Sequence, residues 1–123
     1  MLNSGLYFES TTIASATNSA AAMGSGDMDV FATPSMVALM ENAAMMCVAD
    51  KLPEGSATVG VEISTSHIKA SKMGAAITAS ATLIEVDGRR LTFEVKAWDV
   101  DGDIGKGRHV RYIVDREKFL SKL

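Results

Sequence analysis

No lysine or arginine occurs among the first 50 residues of this chain, which nevertheless carry five acids, Glu9, Asp27, Asp29, Glu41 and Asp50. A secretory signal or mitochondrial presequence needs basic residues near its start, so the pattern predicts neither and points to a cytoplasmic protein. All twelve basic residues lie after position 50, so the C-terminal half is the half expected to meet any anionic ligand group. Fifteen acids against those twelve leave a net charge of −3, which lends no support to nucleic-acid binding or to an anionic membrane surface. Cys47 is the sole cysteine, which excludes an internal disulfide and fits a reducing compartment. Long apolar runs are missing as well. The longest, Met36 to Ala49, is broken by Glu41 and Asn42 and is shorter than the roughly 20 residues a membrane span needs.

Metal ligands are also scarce. Two histidines and one cysteine form no adequate cluster for zinc or another transition metal. Asp99, Asp101 and Asp103 with Gly102 resemble a calcium loop only superficially, because the glycine comes too early, at the fourth position and not the sixth, and no glutamate closes the loop. A polar hairpin turn is the better reading. No cofactor and no metal are therefore expected.

What is present reads as one domain over residues 1–123, enough chain for one compact core and too little for two. Gly5 to Ser15 carries a modest strand signal, and Ala16 to Asp29, with Gly24-Ser25-Gly26, reads as a loop with room for one helical turn. Thr33-Pro34 marks a helix start, with Thr33 as the cap and Pro34 in the first turn. That helix runs to Ala49 and is apolar on almost every face, the pattern of a helix wrapped by a sheet or covered by a partner. Beyond it the period is two. Val59, Val61, Ile63, Thr65 and His67 are expected on one face of a strand. Ala75 to Val86 and Arg90 to Asp99 form a hairpin at Asp87-Gly88, with Leu91, Phe93, Val95 and Ala97 sharing a face. Asp101-Gly102-Asp103 makes the next turn, Ile104 to Val114 the last long strand, and Asp115 to Leu123 a polar terminal turn. One long helix with about five antiparallel strands is an α+β layout whose sheet must curl around the helix or bury it against a partner.

Glu41 stands out on physical grounds, because an ionised carboxylate on so apolar a helix costs several kcal/mol unless it is paired or exposed. Either Glu41 and Asn42 form a narrow solvent-facing strip, or Glu41 lines a cleft as a base or nucleophile. His67 points where the core points, and a packed histidine is explanation enough. Thr33 alone is an ordinary helix cap. Cys47 lies six residues after Glu41, about 240° around the helix, and reads as a small buried hydrophobe.

Three segments in order carry a resemblance. Val30-Phe31-Ala32-Thr33-Pro34-Ser35-Met36-Val37-Ala38-Leu39-Met40-Glu41, then Thr65-Ser66-His67, then Gly88-Arg89-Arg90-Leu91 with Ile104-Gly105-Lys106-Gly107-Arg108-His109-Val110-Arg111, are similar to the fluoroacetyl-CoA thioesterase family. The resemblance covers residues 30–119. It implies the hot dog fold, a curved antiparallel sheet around one central helix, and hydrolysis of a small acyl-CoA with CoA present only as part of the substrate. It also implies Thr33, Glu41 and His67 as the catalytic set. Phe31, Met36 and Met40 are then expected to shape the acyl pocket. Arg108 and Arg111, with Lys106, Arg89 and Arg90, either meet the phosphates of CoA or form a solvated strand face, while His109 has no role beyond its place in the matching stretch. The match departs before the helix, where Asp27-Met28-Asp29 replaces the family's aromatic-bearing lid segment, so fluoroacetyl selectivity does not carry over. A non-catalytic acyl-CoA-binding domain and an enoyl-CoA hydratase on the same fold are the alternatives.

Helix arithmetic adds a constraint. Thr33 and Glu41 lie about 12 Å apart along a straight axis, too far to hydrogen-bond within one helix. Either the substrate bridges them or they come from different protomers; a site shared across a homodimer interface is the expectation, and dimer against tetramer stays open.

Overall fold

The computed structural model describes residues 2–123. Five strands, β1 (Tyr7–Ile13), β2 (Ser56–His67), β3 (Ala76–Asp87), β4 (Arg90–Asp99) and β5 (Gly102–Asp115), form one antiparallel sheet in the order β1-β3-β4-β5-β2. The short helix α1 (Ala20–Met23) precedes the long α2 (Thr33–Ala49), and α3 (Arg116–Ser121) ends the chain. The predicted layout of one long helix under a curling sheet holds. β2 crosses to the far edge of the sheet and pairs only with β5.

Packing explains the alternation in β4. Leu91, Phe93, Val95 and Ala97 are buried and meet Ile77, Ala79, Ala81 and Leu83 of β3 and Met36, Met40, Ala43, Ala44 and Val48 of α2. The helix is not buried all round, however. Met45 and Met46 are 37% and 41% exposed, so one chain leaves that side of α2 uncovered. The β3–β4 turn falls one residue later than predicted: Asp87 pairs with Arg90 across Gly88 and Arg89. Gly88 takes φ 61° and Arg89 does not take a positive φ, the order expected of a II′ hairpin, where glycine supplies the first central residue. The terminal segment is a helical turn because Asp115 caps it, accepting a hydrogen bond from the Lys118 N–H at 3.0 Å.

In β2 the predicted face breaks. Gly60 pairs with Arg111 and Glu62 with Val110, so Val61 is an extra residue, a β-bulge, and is 52% exposed. One inserted residue reverses the parity of the alternation. Ile63, Thr65 and His67 keep the helix-facing side after the bulge, but before it that side belongs to Gly60, not to Val59 or Val61. β5 presents Gly105, Gly107, His109 and Arg111 to the same side. A Cβ at Gly105 would come within 2.6 Å of Met36 Sδ, and one at Gly107 would overlap the Ser64 carbonyl oxygen, so both positions need glycine for close packing.

The connection after β2 is tied to the β4–β5 turn through Asp99. Its carboxylate, 4% exposed, accepts from Lys69 Nζ, Ser71 Oγ and the Asp101 N–H, each at 2.8 Å. Burial pushes the Asp99 carboxyl up, but these donors together outweigh it and hold the group below the usual carboxylate range. Asp99 thus anchors the turn. Among the described residues no cluster of three or more His, Cys, Asp or Glu side chains could hold a metal ion, and no helix is long and apolar enough to cross a membrane.

Candidate active site

Thr33 is the first residue of α2 and not its cap. Ala32 occupies the N-cap position and no side chain caps the helix, because the Thr33 hydroxyl is turned to a different partner. Thr33 Oγ1 lies 2.7 Å from His67 Nδ1 at the end of β2. His67 Nε2 is buried with no hydrogen-bond partner. Burial lowers the His67 pKa, so the ring is neutral at physiological pH and can take a proton. Thr33 and His67 share a pocket of about 220 Å³ with Ala20, Ser25, Val30, Phe31, Lys69 and Ala70. Phe31, 1% exposed, forms its floor.

Met36 and Met40 are elsewhere. Both are fully buried in the core, Met36 against Gly105 and Met40 Sδ at 3.6 Å from the Thr65 hydroxyl, and neither lines this pocket. Their apolar bulk is taken up by the sheet. Cys47 is buried too, and desolvation pushes its thiol up, which suits a packed hydrophobe and not a nucleophile.

Glu41 lines a second, open pocket of about 380 Å³ with Ala38, Asn42, Met45, Gly60 and Arg111. Glu41 is half-buried and Asn42 exposed, and both reach this open pocket, but their side chains have different surroundings. The Asn42 amide oxygen accepts from Ser10 Oγ of β1 at 2.7 Å, whereas Glu41 turns toward β2 and β5. A Cβ built on Gly60 would lie 3.2 Å from Glu41 Oε2, 3.1 Å from His109 Cε1 and 3.3 Å from Arg111 Nη1. Glycine here makes room for a carboxylate, an imidazole and a guanidinium around one point. Gly60 has no positive φ, so an added methyl group acts through space alone. Gly60→Ala is accordingly expected to push the carboxylate aside by a few tenths of an ångström, lowering kcat about tenfold or more while the melting temperature changes little. Steady-state kinetics beside a thermal melt checks this, and an unchanged kcat would show that the space is not needed.

Arg111 sits on the opposite face of β5 from Lys106 and Arg108, so the three cannot form one phosphate-binding patch. Arg111 is 7% exposed, with Nε bonded to Thr58 Oγ1 at 2.8 Å and Nη2 to the Thr58 carbonyl at 3.0 Å. Desolvation by burial lowers its pKa, and the charge of Glu41 acts to raise it. Arg108 and Lys106 are exposed on the outer face, beside Ser64, Ser66, Glu94 and Lys96.

Gly60, His109 and Thr58 were not foreseen as site residues. The available signal was the glycine inside a strand pattern, which marks a bulge or a close approach. Within one chain, therefore, Thr33 and His67 line one pocket and Glu41 another, as the helix spacing requires.

Residues 14–117 match the family described as fluoroacetyl-CoA-specific thioesterase. The fluoroacetyl-CoA thioesterase of Streptantibioticus cattleyicolor is 40% identical over 95 residues, 77% of this chain and 68% of that protein. A crystal structure of a variant fluoroacetyl-CoA-specific thioesterase in complex with fluoroacetate and CoA superposes with a TM-score of 0.90 at 31% identity, covering 96% of this chain and 99% of that one. A Thermus thermophilus protein described as a thioesterase superfamily member shares the fold, with a TM-score of 0.91 at 23% identity over 99% of this chain and 90% of its own. With residues 14–117 matched by the family model and a curated relative 40% identical, the chain belongs to the family described as fluoroacetyl-CoA-specific thioesterase.

Proposed function

We propose that the protein hydrolyses the thioester of a small acyl-CoA at a site shared by two copies, with Thr33 and His67 from one and Glu41 from the other. The observation that carries this reading is the 2.7 Å contact between Thr33 and His67, beside a buried His67 Nε2 that has no partner. That is half of a catalytic arrangement. The other half sits on the same edge strand, since β2 carries Gly60, next to Glu41, and His67 on one face.

Edge strands present unpaired N–H and C=O groups that a second strand can satisfy. If β2 pairs antiparallel with its own copy about a two-fold axis close to Ser64, His67 of one chain comes opposite Gly60 of the other. Glu41 of the partner subunit then faces the Thr33–His67 pocket. The same pairing would cover Val61 and the exposed methionines of α2.

In this arrangement the thioester carbonyl lies at the uncapped N-terminus of α2, whose free N–H groups favour a developing oxyanion. Either Glu41 takes a proton from the water that attacks the carbonyl carbon, or Glu41 attacks it, the thiolate leaves and water opens the acyl-glutamyl anhydride; in both, a proton of that water is relayed through His67 to the CoA thiolate. A second reading is favoured by the same short contact: the Thr33 hydroxyl attacks, its proton passes to His67 Nδ1, the thiolate leaves, and water then cleaves the acyl-threonine. Label in the Glu41 side chain after single turnover in oxygen-18 water requires Glu41 as nucleophile, and a trapped acyl-threonine requires Thr33. The small volume of the pocket suits a short acyl chain, and Arg108 on the outer face is free to meet a phosphate of CoA. We place the enzyme in the cytoplasm, a compartment in keeping with its one unpaired cysteine.

The test is release of free thiol from short, branched and aromatic acyl-CoAs, with Glu41→Gln as control. Turnover is expected to be greatest on short acyl groups and nearly absent in the variant. No thiol release from any of them would defeat the reading.

A further inference from the structure

His109 is fully buried on β5, stacked obliquely near Phe93 with ring centroids 6.3 Å apart. Its two ring nitrogens have partners that leave no choice of tautomer. Nδ1 lies 2.8 Å from the Glu62 carbonyl oxygen, which can only accept, so Nδ1 carries the hydrogen. Nε2 lies 3.1 Å from Arg111 Nη1, which can only donate, so Nε2 must hold a lone pair. A protonated ring would set two donors against each other. Arg111 in turn spends Nε and Nη2 on Thr58, so the guanidinium is fixed on three sides and its position beside Gly60 and Glu41 is set.

We propose that His109, as the neutral Nδ1–H tautomer, is a positioning residue: it joins the β2 bulge at Glu62 to Arg111 and so holds the guanidinium in register with the Glu41 carboxylate. The inference rests on the reading that Glu41 reacts. His109 itself touches neither Glu41 nor the Thr33 pocket as a bonding partner; it works through Arg111. Position within a bulge is the reason a fixed link is needed, since the extra residue Val61 loosens the ladder where Gly60 must stay open. Burial and the Arg111 charge favour the neutral ring, against opposing pulls from the Glu62 carbonyl and the Glu41 carboxylate.

The test compares three proteins. His109→Phe keeps an aromatic ring but bonds neither Glu62 nor Arg111, and its kcat is expected to fall by about 10- to 100-fold with KM little changed. His109→Gln retains one donor and one acceptor on a planar group and is expected to recover most of that loss. In the unaltered protein, nitrogen-15 NMR of the imidazole is expected to show Nδ1 protonated and Nε2 bare across the pH range of activity. Wild-type kcat in a folded His109→Phe variant overturns the proposal. So does an Nε2-protonated or doubly protonated ring at neutral pH, a measurement that stands even if the phenylalanine variant fails to fold. Full activity in Glu41→Gln instead removes the reading beneath it, and the proposal with it. Inactivity in Glu41→Gln beside an unaffected His109→Phe sinks the positioning role alone.

Discussion

Mixing two inactive variants, Glu41→Gln and His67→Ala, is expected to restore about a quarter of the wild-type rate once their subunits exchange freely. Alone, each loses on the order of 10³ in kcat, because one lacks the reacting carboxylate and the other the proton carrier. In a Glu41→Gln homodimer both sites keep Thr33 and His67 but face an amide. In the other homodimer both keep the carboxylate and lack the imidazole. A mixed dimer concentrates both defects in one site and leaves the other intact, and free exchange makes about half of all dimers mixed. Thiol release measured against mixing ratio gives the answer. No recovery at any ratio, with exchange confirmed by differently tagged subunits, would falsify the shared site and return all three residues to one chain.

Replacing Thr33 by valine is expected to lower kcat by roughly 10² or more, while serine at the same position keeps most of the rate. The argument is structural. Valine preserves the shape and removes only the oxygen that lies 2.7 Å from His67 Nδ1. Because Ala32 is the N-cap and Thr33 makes no capping bond, the hydroxyl does not stabilise the helix, so the melting temperature should hardly move. Loss of rate together with loss of stability would mean that the hydroxyl serves the fold. The pH dependence belongs to the same pair. Burial depresses the His67 pKa below its ordinary 6.5, so the ring stays neutral from physiological pH down past that value. The rate should therefore hold through pH 6.5 and decline only further into acid as the ring is protonated; a decline already complete above pH 6.5 would contradict the neutral imidazole.

Much of the architecture could be read from the sequence because it follows from alternation. Leu91 to Ala97 and the apolar length of α2 specify a sheet over a helix whatever the details. Parity is harder. Nothing in the order of Val59, Gly60 and Val61 says which residue is the extra one, since register is decided by the partner strand, here by Arg111 and Val110 opposite Gly60 and Glu62. The site behaves likewise. Glu41 stood out because its charge conflicts with its helix, and Thr33 and His67 came from resemblance, each having an adequate local explanation. His109 and Arg111 were misjudged or left without a role because basic residues two apart look alike in sequence, while only the fold shows that one face of β5 is solvent and the other the interior. The C-terminal helix was lost to a polar composition that hid a capping aspartate.

The walls of the Thr33–His67 pocket differ in how freely they can change. On the sheet side, His67 and Lys69 lie on a strand end and connection that Asp99 ties down, and Phe31 is packed in the core. On the other side stand Ala20 and Ser25, in a segment whose short helix has no buried residue. Mutations in that segment cost the core little. Descendants of this sequence could therefore diverge in the acyl groups they accept by drift between Ala20 and Asp29, while the catalytic strand and helix stay unchanged under purifying selection.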